Sequence, residues 1–262
     1  MYRCSACAFV TGEPAATTAE AVPYLNTYSQ PHAPDPEARY HEWLSRAEGV
    51  VGKGRLLEVG AGGGGFVRIA LQRGWEVHAT ETSPSAIERL RSLGAGAVFE
   101  GDLPALALPS STYDLVVALE VVEHVHAPSS HLAETFRLLK PGGMLLLTTP
   151  NFDGLSRRWW GLRWRVIGAE HVGYFTGSTL TRTLKACGYS SIRVRSRSLD
   201  LSTWRTSVGK GSVGSFDPHA SARMRDAVEG SRVLRTSKDT VNRVLGLTGL
   251  GDSLLAWAQS PR

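Results

Sequence analysis

The residues most suited to chemistry are three acids, each near the end of a short apolar run. Glu58 lies inside the first run, Glu81 follows Glu76–Thr80, and Asp102 follows Ala97–Glu100. The carboxyl ends of successive parallel strands meet at one edge of a sheet, where such folds bind ligands. A single acid in such a place would be interpreted as a helix cap or a solvated strand end. Three acids at these spacings predict one binding edge.

A glycine-rich stretch, LLEVGAGGGGF, contains the first acid. Its Gly60, Gly62 and Gly65 match G-x-G-x-x-G, the pattern with which a strand–loop–helix unit holds a dinucleotide. The pattern alone is weak evidence, because the amides of such a loop also meet nucleosides without phosphate. The charge of Glu58 disfavours a pyrophosphate and favours a ligand ammonium. Glu81, 21 residues after Gly60 (81 − 60), can accept hydrogen bonds from both ribose hydroxyls. A dehydrogenase is therefore disfavoured.

A second group of candidate residues follows the fourth apolar run, in ALEVVEHVHAP. Glu120, Glu123 and His124 stand at i, i+3 and i+4, which a helix places on one face. Two carboxylates and an imidazole can hold a divalent cation such as Mg²⁺, with open positions for substrate oxygens. The alternative is that Glu123 and His124 only cap and pack around a cofactor pocket.

Histidines are the candidate catalytic residues. His124 belongs to the metal group, and His171, in GAEHVGYFT, precedes a predicted helix. A histidine that titrates near neutrality suits the removal of a proton from an acceptor. The alternative for His171 is a structural hydrogen bond to its own loop. His126 and His131 are expected at the surface or at helix caps.

The run SRRWWGLRWR interleaves arginine with tryptophan: Arg157, Arg158, Arg163 and Arg165 with Trp159, Trp160 and Trp164. One interpretation is a lid, in which tryptophans cover the acceptor and arginines hold its phosphate or carboxylate. In that case Arg157, Trp159 and Trp160 contact the substrate. A second interpretation is an interfacial patch for a lipid-borne substrate, and a third is a solvated charged face.

Alternating strands and helices must position these residues, as in an α/β fold with a doubly wound, parallel sheet. Strands are predicted at Arg55–Val59, Glu76–Thr80, Ala97–Glu100, Tyr113–Leu119 and Gly143–Thr149, near Ser191–Ser196, and at 252–259. Helices are predicted at Glu37–Val51, Gly65–Gln72, Ser85–Leu93, Ser129–Leu139, Ser178–Ala186 and around Ala220–Val244. In LLKPGG, Lys140 is expected near the last carbonyls of a helix.

The predicted domain organisation is an N-terminal segment, 1–35, and one larger domain, 36–262. Within the domain, 151–175 would form the lid and about 200–250 a basic helical insertion. A hydrophobic content of 42% provides a sizeable core, and a net charge of +5 does not demand a nucleic acid partner. No apolar run approaches the roughly 20 residues of a membrane-spanning helix. The odd count of three cysteines and the lack of a secretory signal indicate the cytoplasm.

The stretches LLEVGAGGGGF, VHATETS, FEGDL, YDLVVALEVVEHV and RLLKPGGMLLLTTPN resemble, in this order, the class I S-adenosylmethionine-dependent methyltransferases. The group most similar in motif is that of the ubiquinone-biosynthesis O-methyltransferases, and the resemblance covers roughly Gly54 to Val194. It implies a seven-stranded sheet whose last strand is antiparallel. It also implies cofactor-binding residues: Glu58, Gly60, Gly62 and Gly64 at the methionine portion, Glu81 at the ribose, Asp102 at the adenine, and Thr82, Gly101, Leu103 and Leu119 with them.

The resemblance extends to two further features. Residues 120–124 are similar to the metal-binding segment of those O-methyltransferases and of small-RNA 2′-O-methyltransferases. Cys4-x-x-Cys7 resembles the second half of a zinc ribbon that precedes some methyltransferases. Because a structural zinc takes four protein ligands, either the ribbon has decayed or residues upstream of Met1 supply the first pair.

We therefore expect transfer of a methyl group from S-adenosylmethionine to an oxygen, or as second choice a nitrogen, of a small metabolite. A sugar, a quinone precursor or a specialised metabolite would fit, with a peripheral membrane contact as an option. An RNA methyltransferase is disfavoured because the charge is modest and no RNA-binding domain is recognised. A cofactor-binding module without turnover is disfavoured because it would not need the acids and histidines at 120–124.

Overall fold

The computed structural model describes residues 1–12, 37–164, 166–168, 170–198, 241 and 244–262. In these ranges the strands are β1 (Tyr2–Arg3), β2 (Val10–Thr11), β3 (Arg55–Val59), β4 (Glu76–Glu81), β5 (Ala97–Glu100), β6 (Tyr113–Leu119), β7 (Leu139–Pro150), β8 (Gly173–Tyr174), β9 (Ser190–Arg197) and β10 (Ser253–Gln259). The α-helices are α1 (Glu37–Val51), α2 (Gly65–Gln72), α3 (Pro84–Ser92), α4 (Pro128–Leu138), α5 (Leu155–Trp160) and α6 (Gly177–Ala186). Short 3₁₀ turns occupy Leu103–Leu106, Val122–His124 and Gly161–Arg163.

Seven of these strands form one sheet, in the order β5-β4-β3-β6-β7-β10-β9. Neighbours from β5 to β7 are parallel, whereas β10 is antiparallel to both β7 and β9. Strands β3 and β6 lie at the centre with helices on both faces, so their sequences RLLEV and YDLVVAL are apolar almost throughout. The predicted doubly wound, mostly parallel α/β sheet with an antiparallel last strand is confirmed.

Two apolar cores hold the helices to the two faces of the sheet. Leu57 of β3 lies in one core, with Leu132 of α4 and Leu180 of α6. Its neighbour Leu56 lies in the other core, with Phe66 of α2. Successive strand residues point to opposite faces, so burial on both sides fixes β3 and the glycine loop that follows it.

A smaller sheet, in the order β1-β2-β8, joins the N-terminal residues of the chain to the segment after β7. Strand β2, in the N-terminal segment, pairs antiparallel with β8, in the predicted lid. Val10, Trp164 and Tyr174 are buried together in a third core between these segments. The segment 151–175 is therefore a packed structure that the N-terminal hairpin supports.

Strand β7 begins earlier than the sequence predicts, at Leu139 instead of Gly143. The ammonium of Lys140 donates to the two carboxylate oxygens of Asp114 on β6, at 3.0 and 2.8 Å. The preceding helix does end at Leu138, as LLKPGG predicts, but the Lys140 side chain pairs with Asp114 on β6, so its expected place near the last carbonyls of the helix is corrected. Most other predicted elements are found with ends shifted by one residue at most. The helix predicted around Ala220–Val244 lies outside the described residues, except at 241 and 244.

The end of β9 lies beside the start of β10, so the chain leaves the seven-stranded sheet and rejoins it at the same point. The carbonyl of Ser198 accepts a hydrogen bond from the N–H of Asp252 at 2.8 Å. The carboxylate of Asp252 accepts from the N–H and the hydroxyl of Ser156 on α5, at 2.9 and 2.6 Å. The connection between β9 and β10 thus leaves and rejoins the sheet beside α5. None of the described helices is long and apolar enough to cross a bilayer.

Candidate active site

The glycine loop joins β3 to α2 at the carboxyl edge of the parallel strands. Gly60 and Gly64 have φ angles of 62° and 73°, in the left-handed region that favours glycine. A Cβ on Gly64 would come 2.6 Å from Cδ1 of Leu93, and one on Gly60 would come 3.0 Å from Cγ2 of Val121. At Gly63 a Cβ would meet no atom within 4 Å. The loop is therefore closely packed on one side and open on the other, as a ligand-binding backbone requires.

Glu81 ends β4 and is 6% exposed. Its carboxylate accepts hydrogen bonds from the backbone N–H groups of Gly62 at 2.7 Å, Thr82 at 2.7 Å and Ser83 at 3.0 Å. The hydroxyl of Thr82 also donates to it, at 3.5 Å, and three of the four donors share Oε1. Oε2 accepts only from Gly62 and so keeps an open lone-pair site. The predicted residues Gly62, Glu81 and Thr82 are thus in direct contact, and the fixed carboxylate can accept a hydrogen bond from a hydroxyl of a ligand.

Glu58 is buried beside the loop, at 4% exposure. Burial raises the pKa of its carboxyl well above the usual range, and the nearby charge of Glu81 raises it further. Its Oε2 has no hydrogen-bond partner among the described residues. A buried carboxyl oxygen without a partner is costly, and a ligand cation would satisfy it. The geometry fits the ammonium that the sequence predicts there.

The remaining predicted cofactor residues follow β5 and β6. The N–H of Gly101 donates to the carbonyl of Glu81 at 3.0 Å, and Gly101 has a φ of 135°. The exposed Asp102 then precedes a 3₁₀ turn that begins at the buried Leu103. Leu119, half-buried, ends β6. All of these residues lie at the carboxyl ends of parallel strands of the same sheet.

Beyond β6, a carboxylate and two imidazoles converge. Glu123, His124 and His171 each offer one ligand atom, and the three atoms lie within 4.8 Å of one another. The ring centroids of the two histidines are 4.6 Å apart. The Glu120 carboxyl, which the sequence also predicts here, contacts Glu123, and the structure adds His171 from a loop 47 residues after His124 (171 − 124).

Glu120, Glu123 and His124 do not lie on the one helix that the sequence predicts, but the Glu120 carboxyl is in hydrogen-bond contact with that of Glu123. The N–H of Glu120 donates to the carbonyl of Thr148 at 3.0 Å, which continues the pairing of β6 with β7. Only Val122–His124 are helical, as a single 3₁₀ turn. Glu120 itself has a φ of 55°, a strained conformation for a residue with a side chain. Strain of this kind is concentrated at functional sites.

Both histidines have Nδ1 beside a backbone carbonyl. Nδ1 of His124 lies 2.9 Å from the oxygen of Glu170, and Nδ1 of His171 lies 2.6 Å from the oxygen of Val166. A carbonyl only accepts, so each Nδ1 carries a proton and each neutral ring keeps a lone pair on Nε2. Burial lowers the pKa of His171, while its hydrogen bond to Val166 offsets part of that shift. His171 is therefore suited to accept a proton or to bind a cation.

Glu123 is 2% exposed and accepts a hydrogen bond from the hydroxyl of Thr149 at 3.0 Å. Burial raises the pKa of its carboxyl well above the usual range, and the neighbouring Glu120 carboxylate raises it further. Two carboxyl groups so close together cannot both stay ionised at low cost. A proton or a bound cation would relieve the repulsion between them.

Residues 31–194 match the methyltransferase domain family. This chain belongs to that family. A ubiquinone biosynthesis O-methyltransferase of Pseudomonas aeruginosa (strain LESB58) is 33% identical over 137 residues, which are 50% of this chain and 56% of that protein. The methyltransferase described here thus spans about half the length of the curated relatives it matches.

Solved structures agree with this assignment at the level of the fold. A SAM-dependent methyltransferase from Archaeoglobus fulgidus has a TM-score of 0.60 and 16% identity, covering 90% of this chain and 100% of that one. Phosphoethanolamine N-methyltransferase 2 of Haemonchus contortus, solved with S-adenosyl-L-methionine, has a TM-score of 0.53 and 15% identity, covering 91% of this chain and 60% of that one. The chain thus belongs to the methyltransferase domain family and shares its fold with these S-adenosylmethionine-dependent methyltransferases.

Ring contacts in this methyltransferase lead from the histidines to an arginine. The ring of His171 lies 6.5 Å from that of Tyr174, and Tyr174 lies 5.6 Å from Phe152. The guanidinium of Arg157 stacks on Phe152, with Cζ 4.5 Å from the ring centroid. The buried Nε of Arg157 has no hydrogen-bond partner in the described ranges. Of the predicted substrate residues, Arg157 is thus connected to the histidines through Phe152 and Tyr174.

The two predicted substrate tryptophans lie in different surroundings. Trp159 is 66% exposed, whereas the half-buried Trp160 packs against the core formed by Val10, Trp164 and Tyr174. Trp160 is therefore part of a packed core, whereas Trp159 faces solvent, so the two tryptophans do not cover one common surface.

Two threonines of the candidate site were not predicted from the sequence. The hydroxyl of Thr80 accepts a hydrogen bond from the N–H of Gly60 at 3.3 Å, and Thr149 donates to Glu123. The signal for both was present, since each is a polar residue near the carboxyl end of its strand. The carbonyls of Glu170 and Val166 carry no such signal, because every residue has a carbonyl.

Proposed function

We propose that this methyltransferase transfers the methyl group of S-adenosylmethionine to a hydroxyl oxygen of a small molecule. The observation that carries the proposal is the pair of histidines with Nδ1 fixed by carbonyls, beside the buried Glu123. Lone pairs on Nε2 suit the removal of a hydroxyl proton, or the binding of a cation that acidifies the hydroxyl. The Pseudomonas aeruginosa relative is an O-methyltransferase by name, which favours oxygen over nitrogen.

The residues at the strand ends would bind and orient the cofactor. Glu58 would pair with its ammonium, Glu81 would accept from the ribose hydroxyls, and Asp102 would accept from the adenine amino group. When bound, the cofactor supplies a methyl group on a positively charged sulfur. Alignment contributes most of the rate in such a displacement, so a rigid set of strand ends is well suited to it.

A contact between the glycine loop and the histidine segment supports an acceptor site next to the cofactor. Cγ2 of Val121 lies 3.0 Å from the Cβ position of Gly60, and Glu123 follows two residues later. His171 would take the proton from the acceptor hydroxyl, because burial keeps its ring neutral near pH 7. The oxygen would then carry more negative charge as the methyl group arrives.

A divalent cation is a second form of the same proposal. Glu123, His124 and His171 would supply one oxygen and two nitrogen ligands and leave positions for acceptor oxygens. This donor set suits Mn²⁺ or Zn²⁺ better than the Mg²⁺ expected from sequence, because Mg²⁺ prefers oxygen ligands. The carbonyls on both Nδ1 atoms are the outer partners that ligating histidines usually have.

We further propose that the acceptor carries a carboxylate or phosphate, which Arg157 would bind through its guanidinium. A peripheral lipid contact is also part of the proposal, because Trp159 and Leu162 are 66% and 75% exposed on the lid. The free thiols of Cys4, Cys7 and Cys187 agree with work in the cytoplasm.

The decisive experiment combines labelled cofactor, a metabolite extract and three variants. We expect His171→Gln and His124→Gln to lose methyl transfer and to retain cofactor binding in calorimetry. The exposed His126→Gln serves as the matched control and should keep full turnover. Excess chelator followed by Mn²⁺ or Mg²⁺ separates the two forms of the proposal, since only the cation form loses and regains activity. Full turnover in both histidine variants, or a product methylated on nitrogen, would contradict O-methylation at this site.

A further inference from the structure

Strand β9 forms one edge of the seven-stranded sheet, and in the described part of the chain it pairs only with β10. In such a strand every second residue directs its N–H and C=O away from its neighbour, so a row of backbone donors and acceptors faces outward. Near the carboxyl end of β9 another segment approaches this edge, since a Cβ on Gly246 would come 3.4 Å from the oxygen of Ser196. Residues 190–195 are therefore the part of the edge that a further strand can join.

One face of β9 carries three arginines. Arg193, Arg195 and Arg197 alternate along the strand, roughly 6.5–7 Å apart, so they share a face. Arg193 is in register with Trp257 and Arg195 with Leu255, and both of these partners lie in the core that α1 covers. Arg193 and Arg195 are exposed. The arginines thus line the edge of the sheet on the side of α1.

A fourth arginine, from α1, joins this row. Cζ of Arg46 lies 5.0 Å from the ring centroid of Trp257, and Cζ of Arg197 lies 5.5 Å from that of Trp43. Both tryptophans are buried, so the guanidinium groups cover their rings. The four arginines and the two rings form one continuous surface, the arginine row.

The charges of the arginine row repel one another. Burial lowers the pKa of Arg46, and the charges of Arg193 and Arg195 lower it further, while Glu42 offsets part of the shift. In the described ranges no ion pair includes Arg46, Arg193 or Arg195. Because an arginine stays charged at neutral pH, this repulsion persists until an anionic partner relieves it.

The opposite face of β9 is apolar. Ile192 and Val194 are half-buried there and pack on the core beneath α6. A Cβ on Gly177 of α6 would come 3.9 Å from Cγ1 of Val194. A groove of about 530 Å³ lies beside this contact, lined by Gly177, Ser178, Thr181, Arg182, Lys185 and Val194. The edge thus has cations on one face and an apolar strand face with a groove on the other.

We propose that the edge of β9 at residues 190–195 binds an extended acidic segment of a partner protein as an additional strand. The backbone of the segment pairs with the outward N–H and C=O groups, and Asp or Glu at every second position faces Arg193 and Arg195. The residues between the acids are short and apolar, and they lie over Val194 and the groove. The inference does not depend on O-methylation, because this edge carries none of the residues assigned to the cofactor or the acceptor.

The same features disfavour other occupants. A second copy of β9 would place like charges opposite each other, which is destabilising. Single-stranded nucleic acid stacks its bases on accessible rings, whereas Trp43 and Trp257 are each 3% exposed. An anionic lipid surface would meet the arginines but would leave the backbone row of β9 unpaired.

The test measures the fluorescence anisotropy of a short labelled peptide, in which glutamate and valine alternate, as the full chain is added. The double variant Arg193→Glu and Arg195→Glu should bind the peptide roughly tenfold more weakly or worse, because two favourable cross-strand pairs become unfavourable. Arg89→Glu with Arg91→Glu makes the same charge change on exposed residues of α3 and should bind like the wild type. Unchanged Tm in both double variants shows that the fold is kept. A peptide of the same composition with its glutamates grouped at one end should bind as weakly as the alternating peptide binds the β9 variant.

Amide hydrogen exchange then identifies how the peptide binds. We expect the alternating peptide to protect amides within 190–195 and to leave the glycine loop unchanged. Absence of binding, binding without this protection, or equal binding of the grouped peptide would overturn strand addition. Tighter binding of single-stranded RNA or of anionic vesicles, or a dimer that the β9 charge reversal dissociates, would overturn the acidic segment as the partner.

Discussion

His131 gives the sharpest test of the physical reasoning, because its burial has an unusual cost. Its side chain on α4 is 1% exposed, and neither ring nitrogen has a hydrogen-bond partner in the described part of the chain. A buried polar group without a partner costs about 1–3 kcal/mol. Leucine would remove that cost, and repacking would offset part of the gain. We expect His131→Leu to raise the free energy of unfolding by about 1 kcal/mol near pH 7.5 and Tm by about 2–4 °C.

The difference in the free energy of unfolding between His131→Leu and the wild type should grow as the pH falls. Burial lowers the pKa of His131, and the charges of Asp102 and Glu134 offset only part of that shift. The unfolded chain therefore takes up this proton at a higher pH than the folded chain, so the wild type loses stability below the ordinary value of about 6.5. The loss is at most about 1.4 kcal/mol for each pH unit, until the folded pKa is reached. His131→Leu has no titrating ring at this position, so it should not show this loss of stability.

Urea unfolding at about pH 7.5 and about pH 5.5 measures both effects. The exposed His126→Leu is the control, since its ring is solvated in the folded and the unfolded chain. Other buried groups, such as Glu58 and Glu123, are present in both proteins, so their contributions to the pH dependence of stability cancel in the comparison. Parallel pH profiles for wild type and His131→Leu, or a less stable variant, would mean that the ring has a buried partner and would refute the reasoning.

Three further predictions concern single positions. Glu81→Ala should weaken S-adenosylmethionine binding by about 1.5–3 kcal/mol in calorimetry, and unchanged affinity would remove it from the ribose site. Gly64→Ala should lower Tm, because its φ is 73° and Cδ1 of Leu93 lies 2.6 Å from the new Cβ; an unchanged melting curve would contradict the strained turn. Asp252→Ala should cost about 1–3 kcal/mol in urea unfolding by removing the acceptor of its two hydrogen bonds from Ser156, whereas Asp153→Ala should cost far less.

The sheet could be predicted from sequence because its central strands are buried on both faces. Continuous apolar runs such as those of β3 and β6 arise only there, and glycines mark the loop that follows β3. The acids at positions 58, 81 and 102 could be assigned to one edge for the same reason, since parallel strands end together. Features that depend on neighbouring residues, or on a regular period along the chain, could therefore be predicted from the sequence.

The histidine group could not be predicted in full, because it depends on contacts that no spacing encodes. The backbone of Glu120 is fixed by pairing with Thr148 on another strand, and this pairing overrides the helix that its spacing indicated. His171 reaches His124 only through a loop that the N-terminal hairpin supports. His131 was expected at the surface or at a cap, yet it is buried, because the polarity of histidine leaves its helix face undecided.

The junction of Ser198 and Asp252 has a consequence for how this chain can change in length. Their backbone hydrogen bond places the end of β9 beside the start of β10, so the connecting segment closes a loop whose ends already meet. Loop-closure entropy rises slowly, by about 0.6 kcal/mol for each doubling of loop length. Residues gained or lost in this connection therefore change the loop-closure cost little, as long as the contacts of Leu245, Gly249 and Gly251 with the sheet are kept. The chain can thus vary in length beside α5 without a change to the strand ends that carry Glu58 and Glu81.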